Sequence, residues 1–192
     1  MKYYIELTLL PGADIGHYFL WGKVFHQVHL GLVEMKTSNG TVPIGISFPE
    51  YKSERHEIGS KLRFFASDKS VLETLNMPEW LRYFNDYVHL TRIRSVPDHV
   101  LTYACYMRQQ PKSSKQRLAR RKARREGIGV EQALKLLEGY QEQRLKNPFI
   151  NMTSQSSGRR FCLFIVKEEA VQPMNQGFNS YGLSQCSTVP EF

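Results

Sequence analysis

The order of strand-like and helix-like patterns in residues 1–96 is the feature that most narrows the possible folds. Residues 2–10 are strand-like and end at Pro11. Apolar side chains then recur every three or four residues between Tyr18 and Leu32, which predicts an amphipathic helix. Two further strands, a helix and a strand follow, so the predicted order is βαββαβ, the ferredoxin-like unit. These later elements are expected at residues 42–48, 62–66, 71–84 and 87–93.

Residues 97–192 carry a second set of alternating patterns after Pro97. We therefore predict an α+β chain, with an N-terminal ferredoxin-like βαββαβ domain at residues 1–96 and a C-terminal α+β half at residues 97–192. In this half, an arginine-rich helix at about residues 113–126 ends at glycines, and a second amphipathic helix follows. The other elements are expected at residues 100–107, 130–140, 149–152 and 161–166.

Positive charge is concentrated in residues 112–125, which contain eight basic side chains and no acid. The net charge of the whole chain is +8, so the other residues carry 18 basic and 18 acidic side chains. On a helix the arginines form a cationic stripe, which repels itself unless an anion lies against it. Arginine binds phosphate through two hydrogen bonds and can reach guanine edges, so we expect nucleic acid as the partner. The alternative is a solvated charge run or a disordered basic tail.

Several function classes lack support in this sequence. No window approaches the length of a membrane span, and the N-terminus is strand-like and unlike a signal peptide, so we expect a cytoplasmic protein that does not insert into membranes. The three cysteines form no CxxC pair, which argues against a disulfide framework or a thiolate zinc site. Serine hydrolase and Walker motifs are absent. We expect no cofactor.

Two histidines and a serine-rich stretch are the candidate chemical groups. His26 and His29 are three residues apart on the first predicted helix, a spacing that suits a metal, a structural histidine or a base near an RNA backbone. RNA supplies its own nucleophile, the 2′-hydroxyl, so one titratable base is enough for cleavage. Ser154, Ser156 and Ser157 are either an ordinary loop or hydroxyls that bind ribose or phosphate, and Phe161 either stacks on a base or belongs to the core.

Several segments stand in a characteristic order along the chain: Val28-His29 with 31–33, 44–49, the arginine-rich helix, 148–149 with 154–158, Phe161 with 163–165, and 181–184. Together these segments resemble the CRISPR repeat endoribonucleases of subtype I-F systems, over nearly the full chain. The resemblance implies a ferredoxin-like domain followed by an RNA-binding half. It also implies metal-independent cleavage at the 3′ base of a repeat stem-loop, and retention on the crRNA as a subunit of a surveillance complex.

The same resemblance implies a role for each matching residue. His29 matches the general base, Ser154 the serine that positions the 2′-hydroxyl, and Tyr181 the tyrosine that orients the histidine. Arg121 and Arg125 match arginines inserted in the major groove of the stem. The other expected RNA contacts are Arg108 and Gln110 at base edges low in the stem, Arg117, Arg120 and Arg124 on the arginine-rich helix, and Ser156, Ser157 and Phe161 at the cleavage junction.

Three departures from the family pattern and three alternatives accompany this interpretation. Ser157 replaces a threonine, residues 36–42 form a longer turn, and His26 lies one turn from His29. If the helix register shifted by three residues, His26 would be the base; we prefer His29 because the residues around it align without a gap. The chain could also be a non-catalytic RNA-hairpin-binding subunit or a basic DNA-binding protein.

Overall fold

A computed structural model describes residues 1–11, 15–100, 102–111, 114–142 and 145–192. The chain divides into two units: the first comprises Met1–Gln109 and Asn147–Phe192, and the second comprises Gln110–Lys146. Within these described ranges, no helix is both long enough and apolar enough to cross a membrane.

The first part of the larger unit is a ferredoxin-like βαββαβ arrangement, as the sequence predicted. Its four main strands pair antiparallel in the order β2-β3-β1-β4, and a short β5 pairs with the other end of β1. The elements are β1 (Tyr3–Leu9), α1 (His17–Glu34), β2 (Gly45–Ser47), β3 (Lys61–Ala66), α2 (Lys69–Leu75), α3 (Met77–Trp80), a 3-10 turn (Arg82–Phe84), β4 (Val88–Leu90) and β5 (Arg94–Ser95).

Four predicted elements are shorter or more broken than expected. The strand predicted at residues 87–93 is reduced to β4, and the helix predicted at residues 130–140 ends at Lys135. The helix predicted at residues 71–84 is split, because Asn76 has a φ of 45° and Pro78 follows at the start of α3. The strand predicted at residues 42–48 is reduced to β2, since Val42 pairs outside the sheet with Phe178. Local periodicity did not distinguish pairing within the sheet from pairing with a distant loop.

A second antiparallel sheet completes the larger unit, with the strand order β7-β8-β6-β9. Three of its strands lie where the sequence predicted them, although β8 extends further than expected. The fourth, β9, was not predicted, because it is short and contains a proline. The strands are β6 (Thr102–Gln109), β7 (Phe149–Thr153), β8 (Arg160–Ala170) and β9 (Val189–Glu191).

Both sheets contribute side chains to one hydrophobic core, which also contains the apolar face of α1. Helix α1 lies against β7 at Gly22, where an added Cβ would be 2.7 Å from the carbonyl oxygen of Asn151. This close approach fixes the position of α1 beside the loop that follows β7. The boundary predicted between residues 96 and 97 falls within this unit, and its division into two functional domains stays a prediction.

The smaller unit contains α4 (Lys115–Glu126) and α5 (Val130–Lys135). Ala119 and Ala123 of α4 pack against Ala133 of α5. Ser114 caps α4 by accepting a hydrogen bond from the Arg117 amide, and Gly127 ends the helix in the left-handed conformation. The predicted arginine-rich helix therefore exists; Lys112 and Ser113 at its expected start lie outside the described residues.

Candidate functional site

His29 lies at the border of the apolar face of α1 and is half-buried. Its Nδ1 is 2.7 Å from the carbonyl oxygen of Ser180. A carbonyl oxygen can only accept a hydrogen bond, so Nδ1 carries the proton in this contact. In the neutral ring, Nε2 then has a free lone pair and can accept a proton from another molecule.

The surroundings of His29 favour its neutral form. Burial lowers the pKa of His29 below its ordinary value of 6.5, although the hydrogen bond to the Ser180 carbonyl raises it in part. Electrostatic interactions with His26 and with the positive charges of Lys36 and Arg108 lower this pKa further. A base with a lowered pKa is unprotonated at neutral pH and therefore ready to accept a proton.

The turn at residues 179–182 presents both the Ser180 carbonyl and the Tyr181 ring to His29. The rings of Tyr181 and His29 are stacked, with centroids 4.3 Å apart and planes 11° apart. The side chain of Asn179 accepts hydrogen bonds from the Tyr181 and Leu183 amides. Gly182 has a φ of 71° and lies so close to Ile46 that an added Cβ would be 2.6 Å from its side chain. These contacts hold the turn in place.

Arg108 and Phe161 join this cluster on the Tyr181 side. The guanidinium carbon of Arg108, on β6, is 5.4 Å from the Tyr181 ring centroid and 5.3 Å from the Phe161 ring centroid. Both distances lie within the range of cation–π contacts. The structure thus brings together four of the predicted site residues, His29, Tyr181, Arg108 and Phe161, although they come from distant parts of the sequence.

The predicted serines lie together in the loop between β7 and β8. The Ser157 hydroxyl donates to that of Ser154 at 3.0 Å, and the Ser154 and Ser156 hydroxyl oxygens are 3.3 Å apart. The loop is closed by a hydrogen bond from the Gly158 amide to the Ser154 carbonyl. The three hydroxyls therefore form a small polar cluster; their roles toward RNA stay predictions.

His26 contacts this loop directly. The side-chain amide nitrogen of Gln155, Nε2, is 2.8 Å from Nε2 of His26, so that ring nitrogen accepts a hydrogen bond and its lone pair is engaged. The contact joins the serine loop to α1 one turn before His29. It also distinguishes the two histidines, since Nε2 is bound in His26 and available in His29.

A cavity of about 800 Å³ lies between α1 and the β7–β8 loop. Ser154 lines it, and two rings at the start of α1 are open to solvent there, Tyr18 at 54% and Phe19 at 60% of their surface. Sequence reasoning missed this cavity, because its residues come from two segments more than 100 positions apart. Other lining residues include Lys23, His26, Gln155 and Arg160.

Within the described ranges, no group of three or more His, Cys, Asp or Glu side chains is placed to hold a metal ion. Arg108 and the two histidines lie together with neutral polar and aromatic groups.

In the smaller unit, α4 displays its arginines to solvent. The only acid of this helix, Glu126, is 3.3 Å from Lys122 and 2.9 Å from Arg125. Among the residues that the structure describes, the other α4 arginines make no ion pair. These other arginines can therefore bind an anion without first breaking an ion pair, whereas Arg125 would exchange its contact with Glu126. The exposed side chains predicted to contact RNA here are Gln110, Arg117, Arg120, Arg121, Arg124 and Arg125.

Comparison with known proteins shows similarity along the whole chain. A family model described as CRISPR-associated protein (Cas_Csy4) matches residues 4–192. Two proteins named CRISPR-associated endonuclease Cas6/Csy4, from Escherichia coli (strain UTI89 / UPEC) and Pseudomonas aeruginosa (strain UCBPP-PA14), are each 33% identical to the chain over 193 positions. In both cases the alignment covers 100% of the chain and 100% of the relative.

Two solved structures also align with the chain. One is described as "An RAMP protein binding different RNA substrates"; it has a TM-score of 0.38 and 11% identity, and the alignment covers 98% of this chain and 99% of that one. The other is described as "Characterization of a Cas6-related gene from Pyrococcus furiosus"; it has a TM-score of 0.37 and 9% identity, and the alignment covers 99% of this chain and 98% of that one.

Proposed function

The chain belongs to the Cas_Csy4 family of CRISPR-associated proteins, and we propose that it cleaves the repeat stem-loops of pre-crRNA as a metal-independent endoribonuclease. The relatives named Cas6/Csy4 endonucleases, each 33% identical to it over its whole length, support a nuclease function. The observation that carries the proposed mechanism is the hydrogen bond between His29 Nδ1 and the Ser180 carbonyl.

In the proposed reaction, Nε2 of His29 removes the proton from the 2′-hydroxyl of the nucleotide before the cut. The 2′-oxygen attacks the adjacent phosphorus in line, and the bond from phosphorus to the 5′-oxygen breaks. The departing 5′-oxygen takes up a proton from water, and the products are a 2′,3′-cyclic phosphate, or the 3′-phosphate that its hydrolysis gives, and a 5′-hydroxyl. The nucleophile belongs to the RNA, so the protein's main tasks are positioning and proton transfer.

Tyr181 and Ser154 would act through position. The stacked Tyr181 ring restricts rotation of the His29 ring, and the Ser180 carbonyl fixes which nitrogen carries the proton. The hydroxyl of Ser154 would hold the attacking 2′-hydroxyl, while Ser156, Ser157 and Phe161 contact the cleavage junction. Support for this assignment comes from the grouping of the three hydroxyls in one loop.

RNA recognition would divide between two sets of residues. Arg121 and Arg125, with the other exposed arginines of α4, would bind the stem through its phosphates and major groove. Arg108 and Gln110 would read base edges low in the stem, where the groove opens near the duplex end. The half-buried setting of Arg108 between two aromatic rings supports a defined orientation for its guanidinium.

We also propose that the protein stays on the crRNA 3′ hairpin and contacts other subunits of a surveillance complex, in the cytoplasm. Retention would follow from a binding surface that the cleaved hairpin still fills, since the stem and its arginine contacts are unchanged by the cut.

Cleavage of a cognate hairpin in the presence of EDTA tests the proposed function. We expect cleavage to persist without added metal and to stop when the nucleotide before the cut is 2′-deoxy, because the nucleophile is then missing. A deoxy hairpin that is cut, or an RNA hairpin that needs magnesium, would contradict the mechanism. A hairpin that is bound but never cut, even with enzyme in excess, would identify a non-catalytic binding subunit.

A further inference from the structure

The cavity beside the serine loop has features that the proposed cleavage reaction does not use. Tyr18 and Phe19 expose more than half of their surface, although large apolar side chains are usually buried. The Lys23 ammonium lies 5.4 Å from the Phe19 ring centroid. Gly22, at which α1 approaches β7, also lines the cavity.

The lining of this cavity suits single-stranded nucleic acid. Exposed aromatic rings stack on unpaired bases without sequence preference, and nearby cations bind the backbone phosphates. Lys23 and Arg160 supply the positive charge, and the described lining residues include no aspartate or glutamate. A volume of about 800 Å³ has room for unstacked nucleotides but not for a double helix.

The cavity shares Ser154 with the proposed cleavage site. Ser154 lines the cavity, and Gln155 joins it to His26, one turn from His29. From His29 back to Phe19, α1 advances roughly 15 Å along its axis. Arg108, the proposed contact low in the stem, instead lies beside Phe161 and the Tyr181 ring, and that ring stacks on His29. The two sets of contacts therefore meet His29 through different neighbours.

We propose that this cavity binds the single-stranded RNA that continues 3′ of the cut, an inference that rests on the cleavage function proposed above. The stem would lie on the Arg108 and Phe161 side of His29, and the strand beyond the cut would run along α1 toward Phe19. Binding on both sides of the scissile phosphate would hold the leaving 5′-oxygen in line with the attacking 2′-oxygen.

The test compares two hairpins that differ only beyond the cut: one ends a single nucleotide after it, and the other continues as a single strand. Both carry a 2′-deoxy nucleotide before the cut, so that affinity is measured without cleavage. For the wild-type protein we expect the extension to tighten binding about 5- to 50-fold, since one or two bases stack. In a variant that combines Phe19→Ala and Lys23→Ala, the ratio of the two affinities should fall to within about twofold of one.

Matched control variants are Tyr83→Ala, which removes an exposed ring on the 3-10 turn, and Lys52→Gln, which removes an exposed cation. Neither residue lines the cavity, so both variants should keep the wild-type ratio. As an independent readout, 4-thiouridine in the extension should crosslink to the tryptic peptide that ends at Lys23.

A wild-type ratio of one, with the all-RNA short hairpin still cleaved, would overturn this inference and leave the proposed function intact; a cavity that takes a protein partner would give this result. A high ratio that the cavity variant retains would also overturn it, because the extension would then bind elsewhere. Failure to cleave any RNA hairpin would instead contradict the proposed function.

Discussion

His29 and His26 look nearly equivalent in the sequence, but each makes a different hydrogen bond in the structure. His29 donates from Nδ1 to the Ser180 carbonyl, and its Nε2 remains available. In His26, Nε2 accepts a hydrogen bond from the side-chain amide of Gln155. The difference favours His29 as the base, as the family resemblance implied, and gives His26 a structural role that holds the serine loop.

Replacement of each histidine tests this division of roles. His29→Ala should reduce single-turnover cleavage of the short hairpin by about 10² to 10⁴, the contribution of a general base. Hairpin affinity should change little, because the stem contacts remain. His26→Ala should slow cleavage less than tenfold. A larger loss in His26→Ala than in His29→Ala would make His26 the base.

The lowered pKa of His29 predicts the pH dependence of cleavage. The unprotonated ring is the active form, so the rate should rise with pH and level off above the apparent pKa of His29. This pKa should lie below 6.5. Lys36→Gln removes one of the positive charges that favour the neutral ring, so it should shift the profile toward higher pH. Single-turnover rates from about pH 5 to pH 8 measure both. A profile that falls over this range would show that an acid limits the reaction.

Among the elements, α4 and the turn at residues 179–182 contribute to the proposed function in different ways. Helix α4 presents a surface: its alanines pack inward, and its arginines remain exposed. The turn instead fixes positions through hydrogen bonds and a glycine that has no room for a side chain. A variant in α4 should therefore change affinity, whereas a variant in the turn should change the orientation of His29.

Salt titrations can separate phosphate contacts from base contacts. Arg121→Ala and Arg125→Ala should weaken binding to every stem. They should also reduce the slope of log affinity against log salt concentration by roughly 0.7 to 0.9 for each phosphate that is no longer neutralised. Arg108→Ala and Gln110→Ala should mainly remove the preference for the correct lowest base pairs, worth about 1 to 3 kcal/mol.

Lys135→Ala, which removes an exposed cation at the end of α5, serves as the control for a change in charge and should have little effect on either quantity. The measurement is a titration of each variant with the cognate hairpin and with one whose lowest pairs are exchanged, at two salt concentrations. Equal loss of discrimination in all four arginine and glutamine variants would show that the two roles are not divided.

For the whole molecule, the contact between α1 and β7 connects stability with the site. Gly22→Ala would place a methyl group 2.7 Å from the Asn151 carbonyl oxygen. We expect a loss of about 1 to 3 kcal/mol in the free energy of unfolding, because helix and strand must separate. Cleavage should also slow, since β7 leads into the serine loop.

Urea unfolding and single-turnover cleavage measure these two effects. Gly139→Ala is the control, because nothing lies within 4 Å of its added Cβ, and it should change both quantities little. A Gly22→Ala protein that unfolds at the wild-type urea concentration would show that α1 and β7 can separate at no cost.

The sequence predicted most of the elements because their patterns are local. Apolar spacing identified α1, and the strand-like segments identified four strands of the first sheet and three of the second. The split at Asn76 and the short β9 were missed, since both depend on backbone conformation or pairing that periodicity does not encode. The individual site residues came from the family resemblance, and their roles stay predictions.

Local patterns in the sequence predicted a cationic helix, a βαββαβ order and a set of candidate side chains, because neighbours along the chain set charge and periodicity. Which of these side chains come into contact depends on the tertiary structure. The contact between His29 and Ser180 joins residues 151 positions apart, and that between His26 and Gln155 joins residues 129 apart. Such contacts depend on how two sheets and α1 pack around one core, and packing at that distance leaves no local pattern in a single sequence.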